Sequence, residues 1–346
     1  MDAKHRIDIA TPLLDWYDRH RRDLPWRAKA GETPDAYRVW LSEVMLQQTT
    51  VATVRPRFAE WVRRWPTFAD LAAADEADVM AAWAGLGYYA RARNLLAAAR
   101  AIATEHGGEL PDTEAALRAL PGFGDYTAAA VAAIAFGRRA VVVDANVERV
   151  VARLFAIADP LPGGRKAIRA AAETITPDAR AGDFAQAMMD LGSAICTPRR
   201  PRCLLCPLHH ACAAQATGAP ESYPVKKPNA PRPHRHGTIF WLEHDDAVLL
   251  VRRPDKGLLG GMRALPTGPW SDAPPGLAEA PAEADWRMID RTVSHGFTHF
   301  TLDLAIAVAR SDTLRNAGEW WPIARLDEAG LPTLFAKAAD VVRREA

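Results

Sequence analysis

LPGFGDYTAAAVAAIAF (Leu120–Phe136), followed by VVVDANVERV (Val141–Val150), carries the strongest indication of how this chain folds. Gly122 and Gly124 allow the backbone to turn tightly and to come close to a ligand. The residues after them are typical of a helix, whose exposed N–H groups at its start suit a phosphate oxygen. Such a hairpin binds a DNA backbone without reading sequence, although an ordinary corner between two helices has the same composition. The first interpretation is strengthened by Asp144, which ends an apolar run and opens another helix.

All four cysteines fall in one short segment, with the spacing C-x6-C-x2-C-x5-C. Thiolates are the ligands that iron–sulfur clusters and zinc require, and four of them make a complete set. Two disulfides are disfavoured, because cysteine is otherwise absent and no secretory signal is recognisable. Zinc is a stronger alternative, but structural zinc sites more often use two C-x2-4-C pairs, and this segment has one. We therefore expect a 4Fe-4S cluster held by Cys196, Cys203, Cys206 and Cys212.

The composition is that of a soluble globular protein with room for two domains. The chain has 346 residues, of which 49% are hydrophobic and 25% charged. Its net charge of +1 gives no strong field, so any charge that binds nucleic acid must be local. The sequence has no apolar run long enough to span a membrane, and its first residues are typical of an amphipathic helix and not of a targeting peptide. We expect a cytoplasmic protein associated with the nucleoid.

The pattern of residues divides the chain into three parts. Residues 1–217 are typical of successive helices, residues 218–236 of a basic, proline-rich linker, and residues 237–346 of a small α+β domain. In the first part the alanine-rich helical stretches include Leu71–Ala84, Asn94–Glu105 and Tyr126–Phe136. In the last part we expect strands at Gly237–Leu242, Ala247–Arg252 and Phe300–Ala309 and a closing helix at Leu331–Arg344.

Two carboxylates are candidates for chemistry. Glu43 stands in Val39–Leu46, where every neighbour except Ser42 is apolar or aromatic. A carboxyl there would be desolvated, which favours its protonated form and suits a general acid. The residues alone favour the alternative of a glutamate on the exposed stripe of an amphipathic helix. For Asp144 the alternative is a cap on the helix that begins near Asn146, and both roles can hold at once.

The hairpin, the VDANVERV segment and the four cysteines together resemble the helix–hairpin–helix DNA glycosylase superfamily with an iron–sulfur loop. Four further segments resemble the MutY adenine DNA glycosylases: LPWR (Leu24–Arg27), WLSEVMLQQT (Trp40–Thr49), GLGYYARARNL (Gly85–Leu95) and FAQAMMDLG (Phe184–Gly192). The resemblance covers nearly all of residues 10–215. It implies a mainly α helix–hairpin–helix glycosylase fold with an iron–sulfur loop at residues 196–212. A small α+β Nudix-like domain would follow, with a looser resemblance through YPVKKP and RRPDKGLLGG.

The resemblance also implies an activity. The protein would be a monomer that hydrolyses the N-glycosidic bond of adenine mispaired with 8-oxoguanine or G in double-stranded DNA. Glu43 would protonate adenine, and Asp144 would stabilise the cationic sugar by its charge or by a transient covalent bond, with Asn146 in the same catalytic set. Tyr126 stands where related bifunctional enzymes have a lysine that forms a Schiff base. We therefore expect a monofunctional enzyme that leaves an abasic site.

To reach the glycosidic bond, the enzyme must take adenine out of the stack. By resemblance, the adenine pocket would be lined by Trp26, Arg27, Gln186 and Asp190. Contacts to DNA would come from Gln48 and Tyr88, which wedge into the duplex, and from Arg91, Gly122 and Gly124 on its backbone. On the residues alone, an ion pair on the helix surface is an equal alternative for Arg27 and Asp190, and a core position is the default for Tyr88.

The C-terminal part is expected to bind and not to hydrolyse. Nothing between Gly257 and Asp290 supplies the glutamate-rich metal helix of a Nudix hydrolase. By resemblance, 8-oxoguanine would be recognised by Phe297, Thr298 and His299, where the family usually has Phe-Ser-His.

Ala145 and Phe123 are two further departures from the family pattern, and neither removes a catalytic group. Two other functions compete with the adenine glycosylase. Tyr126 and the C-terminal domain argue against an endonuclease III-like glycosylase for oxidised pyrimidines. The intact pair Glu43 and Asp144 argues against a damage-binding protein without catalysis.

Overall fold

The computed structural model of the chain describes residues 8–29, 31–227, 231–254, 257–297, 299–311 and 318–345. The chain divides into two compact units. One unit comprises Met1–Glu76 and Ala90–Pro228, and the other comprises Ala77–Tyr89 and Asn229–Ala346. No helix within the described ranges combines the length and the apolar character that crossing a membrane would require.

The α-helices of the described residues lie almost entirely before residue 217. They are α1 (Ala10–His20), α2 (Ala36–Met45), α3 (Val51–Arg64), α4 (Phe68–Ala72), α5 (Glu76–Ala82), α6 (Ala90–Glu105), α7 (Glu114–Arg118), α8 (Asp125–Phe136), α9 (Ala145–Leu154), α10 (Arg165–Ile175), α11 (Ala181–Ala194), α12 (Ala213–Ala216) and α13 (Thr333–Glu345).

Side chains just before several helices fix where those helices begin. Asp35 accepts a hydrogen bond from the backbone N–H of Arg38 at the start of α2. Thr67 and Asp70 form a reciprocal capping box at the start of α4. Such caps satisfy N–H groups that have no partner inside the helix, and each contributes about 1 kcal/mol. Helix α8 ends at Gly137, which takes the left-handed conformation with φ 64°.

Helix α8 forms the centre of the helical unit. Every residue from Thr127 to Ile134 is buried, and α2, α7 and α11 pack around this helix. Small residues permit the close approach of α11. A Cβ atom on Gly182 would lie 2.4 Å from the carbonyl oxygen of Ala133, so only glycine fits there. This packing brings α2, α8 and α11 together, and the candidate site is built on these three helices.

The second unit is built on a mixed sheet. Its strands are β1 (His234–His244), β2 (Ala247–Arg252), β3 (Arg263–Ala264), β4 (Arg287–Gly296), β5 (Thr301–Arg310) and β6 (Glu319–Pro322). The order is β3-β2-β1-β5-β4, and β6 pairs with β2. Strands β1 and β5 are parallel, and the other pairs are antiparallel. The apolar face of α13, with Leu334 and Phe335 fully buried, packs in the core of this unit.

Several expected boundaries differ from the structure. The stretch Leu71–Ala84 is not one helix, because a turn at residues 73–75 separates α4 from α5. The expected linker is shorter than residues 218–236. Leu161 donates its N–H to the carbonyl of Val225, and β1 already begins at His234. Strand β4 was not expected at all.

The remaining elements follow the sequence closely. The expected helices Asn94–Glu105 and Tyr126–Phe136 lie within α6 and α8, and the expected strand Ala247–Arg252 matches β2. The expected strand Phe300–Ala309 and helix Leu331–Arg344 are shifted by one or two residues at their ends, as β5 and α13. Residues 265–286, all of them described, contain no helix.

Candidate active site

The Glu43 carboxyl lies inside the helical unit, on α2. Only 7% of Glu43 is exposed, because its neighbours on α2 pack into the core on all sides. Tyr126, in the first turn of α8, donates its hydroxyl to Oε2 of Glu43 at 2.5 Å. The predicted burial of Glu43 is confirmed, and the alternative of an exposed stripe is wrong. The hydrogen bond to Tyr126 spans 83 residues of sequence and was not predicted.

Burial raises the pKa of Glu43 to about 7, and the charge of Asp144 adds to this rise. The Tyr126 hydrogen bond and the charge of Arg27 oppose it. Burial also raises the pKa of the Tyr126 phenol well above its usual range, with the charges of Glu43 and Asp144 adding to it. The phenol therefore stays a donor while Glu43 holds its own proton at neutral pH or below. A buried carboxyl that exchanges a proton near neutrality is suited to general acid catalysis.

Asp144 lies in a different environment, at the start of α9. Its Oδ1 accepts the backbone N–H of Val147 at 2.7 Å, and its Oδ2 accepts the amide of Asn146 at 2.9 Å. The capping role expected for Asp144 is confirmed, with the helix beginning at Ala145. Both carboxylate oxygens of Asp144 are therefore held as hydrogen-bond acceptors. The Asn146 side chain thus contacts the Asp144 carboxylate directly.

Arg149, which sequence reasoning missed, connects this aspartate to the first cysteine. Its Nη2 donates to Oδ1 of Asn146 at 3.0 Å, and its Nε donates to the carbonyl of Cys196 at 2.8 Å. Gly192 makes room for this arrangement, because a Cβ there would lie 2.7 Å from the Cβ of Asn146. A chain of hydrogen bonds therefore runs from the Cys196 backbone to the Asp144 carboxylate.

Arg27 and Asp190 form a buried ion pair. Arg27 donates to both carboxylate oxygens of Asp190, at 2.6 and 2.9 Å, and Arg22 donates to the same carboxylate at 2.6 Å. Asp190 is only 1% exposed, so the alternative of a pair on the helix surface is wrong. Breaking one partner of such a buried pair costs about 3–5 kcal/mol. The pair fixes the Arg27 guanidinium on the side of Glu43, where its positive charge acts on that carboxyl.

A cavity of about 730 Å³ lies beside these residues. Trp26, Arg27 and Gln186, three of the four residues expected in the adenine pocket, line it. Asp190 is not among the lining residues, because its carboxylate is engaged by the two arginines. Glu43 does not line the cavity either, but Val39, one helical turn before it on α2, does.

Three of the five residues expected to touch DNA have unusual backbone conformations. Gly122 has φ +74°, and a Cβ there would lie 2.7 Å from the Cβ of Asn94, so this position of the hairpin requires glycine. Gln48 and Tyr88 have φ of 57° and 50°, and Tyr88 is 55% exposed. Non-glycine residues held in this strained region cluster at functional sites.

The other two residues expected to contact DNA, Gly124 and Arg91, do not have such backbone conformations. Gly124 precedes α8 with φ −77° and open space where a Cβ would lie. The guanidinium of Arg91 donates to the carbonyl of Val44 at 2.8 Å and so ties α6 to the end of α2.

The four cysteines lie close enough together to affect one another's ionisation. Burial raises the pKa of Cys206 to about 12, with the charges of the other three thiols adding to it. Four such thiolates are stable only beside a strongly positive centre. Among the described residues, no three His, Cys, Asp or Glu side chains are grouped as one metal ion would need. Four cysteine thiols in one loop make a complete donor set for a 4Fe-4S cluster.

Arg153 secures the cysteine loop to α9. It is 2% exposed, and its guanidinium donates to the carbonyls of Thr197 and Pro198 at 2.7 and 3.0 Å and lies 3.3 Å from Sγ of Cys196. A buried cation beside a thiolate cluster compensates part of its negative charge. The donor set and its surroundings therefore fit an iron–sulfur cluster.

The expected 8-oxoguanine loop joins β4 to β5. Thr298, its central residue, lies outside the described residues. Phe297 donates its N–H to the carbonyl of Phe300 at 2.9 Å, which closes the turn, and His299 is exposed. Below the turn, Phe297 stacks on Trp270 with ring centroids 5.8 Å apart, and the Arg253 guanidinium lies over the same indole ring. Phe297 thus packs against an aromatic side chain of the same unit.

Fold and site together define a helix–hairpin–helix protein of base excision DNA repair. Residues 41–177 match the HhH-GPD superfamily of base excision DNA repair proteins, and residues 238–340 match the NUDIX domain. A thermostable thymine-DNA glycosylase has the same fold as the helical part, with a TM-score of 0.54 and 31% identity over 60% of this chain and 94% of that one.

Curated relatives define the family more closely. The adenine DNA glycosylase of Mycolicibacterium smegmatis is 44% identical over 208 residues, which cover 60% of this chain and 70% of the relative. The human adenine DNA glycosylase is 39% identical over 310 residues, which cover 75% of this chain. The chain spans 57% of the length of the human relative. It belongs to the adenine DNA glycosylase family.

The pKa of Glu43 should rise further in a Tyr126→Phe variant, because the phenol hydrogen bond favours the ionised carboxylate and its loss leaves burial unopposed. Carboxyl ¹³C NMR of Glu-labelled protein, with the Glu43→Gln spectrum for assignment, would measure the shift. Tyr37→Phe is the matched control, since Tyr37 is buried on the same helix but donates to the carbonyl of Trp65. An unchanged Glu43 pKa in Tyr126→Phe would contradict the assigned hydrogen bond.

Proposed function

We propose that this protein removes adenine from double-stranded DNA where adenine is paired with 8-oxoguanine or G, and leaves an abasic site. The observation that carries this proposal is the buried Glu43 carboxyl, held by Tyr126 and carrying a proton near neutral pH, with the Asp144 carboxylate on the neighbouring helix start. Membership of the adenine DNA glycosylase family supports it.

The reaction needs one acid and one anion. The bond between C1′ of the deoxyribose and the adenine nitrogen breaks, its electron pair leaves with the base, and Glu43 supplies a proton that makes adenine a better leaving group. Asp144 stabilises the positive charge that develops on the sugar. Water adds to C1′ and gives up a proton, which restores the proton lost by Glu43. The two carboxyls divide these roles because one is buried and the other accepts two hydrogen bonds.

Cleavage should stop at the abasic site. A second, strand-cleaving step needs an amine that forms a Schiff base with the sugar. The segment Leu120–Val151 contains no lysine, and the hydroxyl of Tyr126 is engaged with Glu43. A phenol cannot form an imine, so the product keeps an intact phosphodiester backbone.

The DNA would be held at several places. The hairpin at Gly122 and Gly124 would offer backbone N–H groups to a phosphate, and Gln48 and Tyr88 would enter the duplex where adenine is extruded. The turn with Phe297, Thr298 and His299 would recognise 8-oxoguanine. We propose that the helical unit acts as a glycosylase domain and that the unit built on the sheet acts as a recognition domain.

We also propose that Cys196, Cys203, Cys206 and Cys212 hold a 4Fe-4S cluster. When bound, the cluster supplies a rigid crosslink for the loop between these residues. Arg153 and Arg149 contact the backbone of the same loop and also belong to α9, the helix that Asp144 caps. The loop therefore contributes to the placement of Asp144 without taking part in the chemistry.

Glu43→Gln should lower the single-turnover rate of adenine excision by about 10²- to 10⁴-fold, because glutamine keeps the shape but cannot supply the proton. The substrates would be duplexes with A opposite 8-oxoguanine, A opposite G, and thymine glycol, each treated with alkali after incubation. Glu60→Gln is the matched control, since Glu60 is exposed on α3. The wild-type protein and the control should give alkali-dependent cleavage at adenine only.

Two results of this assay would overturn the proposal. Cleavage at thymine glycol with none at adenine would favour an endonuclease III-like enzyme, and no cleavage at any duplex would favour a damage-binding protein. Efficient trapping of the protein on DNA by borohydride would contradict the monofunctional mechanism.

Protein purified without exposure to air should contain four iron and four sulfide per chain and no stoichiometric zinc. Cys206→Ser should lose most of the iron, because it removes one of four thiolates. Metal analysis together with acid-labile sulfide measures both. One zinc per chain and no sulfide would contradict the assignment.

A further inference from the structure

The cavity beside Arg27 extends from the interior to the surface of the helical unit. Its inner wall includes Trp26 and Val39, which are 6% and 2% exposed. Its outer wall includes the exposed residues Glu32, Thr33 and Arg180. A pocket for one flipped base needs only the inner part. The continuation to the surface requires another explanation.

The inner end lies next to the candidate acid. On α2, Val39 stands one turn before Glu43, and residues four apart lie on the same face of a helix, about 6 Å from each other along its axis. On α11, Gln186 stands one turn before Asp190 in the same way. The cavity therefore lies one helical turn from Glu43 along α2 and one turn from Asp190 along α11.

The outer end lies away from the DNA-binding hairpin. The hairpin, with Gly122 and Gly124, precedes the N-terminus of α8, whereas Ala133 and Gly137 line the cavity at the C-terminal end of the same helix. A helix of this length measures about 18 Å. DNA bound at the hairpin would cover the first end of α8 and leave the second end open.

The rim of the opening is ordered by charged side chains. Arg180 contacts Asp18 of α1 at 2.5 Å and Asp183 of α11 at 2.8 Å, and all three line the cavity. These contacts connect the start of α11 to α1 at the rim. The inner wall offers aromatic surface at Trp26 and the amide of Gln186, which suit a flat heteroaromatic molecule, whereas the rim carries charged side chains of both signs.

We propose that this cavity is an exit route for the free base. Adenine would leave through the opening near Thr33 and Arg180 while the abasic duplex is still bound at the hairpin. This inference rests on the proposed function, because it concerns the product of that reaction. The consequence is an order of events in which base release does not wait for DNA release.

The test compares two tryptophan substitutions on exposed threonines. Thr33→Trp places an indole at the opening, and Thr104→Trp is the matched control on the outer side of α6. Glu32→Trp provides an independent obstruction of the same opening. A duplex with radiolabelled adenine opposite 8-oxoguanine would be used in single turnover, followed by filtration that retains DNA-bound protein and passes free adenine.

For the wild-type protein and Thr104→Trp we expect labelled adenine in the filtrate while the abasic duplex is still retained. For Thr33→Trp and Glu32→Trp we expect the same excision rate, but the label should stay on the filter until the duplex dissociates. Equal release of label from all four proteins would overturn the exit route, as would wild-type release of label only together with DNA. Failure of the wild-type protein to excise adenine would instead overturn the proposed function.

Discussion

The burial of one carboxyl group is the constraint on which the rest of the site depends. Removing a carboxylate from water is costly, and the cost falls when the group holds a proton. In this protein Glu43 sits in the core beside α8, and burial raises its pKa to about 7. The Tyr126 hydroxyl partly offsets the cost by donating a short hydrogen bond. A group that would be an ordinary anion on the surface becomes a proton donor near neutral pH.

The second carboxyl, that of Asp144, is held in a different way. Asp144 accepts the N–H of Val147 and the amide of Asn146 at a helix start, so both of its oxygens are held in place. Arginine side chains hold the groups around the two carboxyls in place. Arg149 holds Asn146 and the backbone of Cys196 together, and Arg27 is oriented toward Glu43 by Asp190. Buried ion pairs of this kind add little net stability, and we infer that they serve to fix the geometry.

Much of this could be predicted from the sequence where the determinants are local. The cap at Asp144 follows from its place before a helix. The apolar neighbours of Glu43 indicate burial, but the residues alone favour an exposed stripe, and the family resemblance decides that prediction. The partner of Glu43 could not be found in this way, because Tyr126 lies on another helix and meets it only after packing. Arg149 and Arg153 could have been noticed only as arginines on the apolar face of α9.

The errors in the fold also have physical reasons. Leu71–Ala84 contains no glycine or proline, and its alanines favour a helix, yet the turn at residues 73–75 interrupts it. Strand β4 has only two buried residues, Ile289 and Val293, so it lacks the alternation that marks a half-buried strand. Pairing with β5 determines this strand, and such pairing is a tertiary effect.

The central claim is that a protonated, buried Glu43 drives loss of the base. The most direct test is the pH dependence of the single-turnover rate of adenine excision by the wild-type protein. The rate should be constant at low pH and fall as pH rises through about 7, where Glu43 gives up its proton. A rate that stays constant through and above that range would contradict the claim.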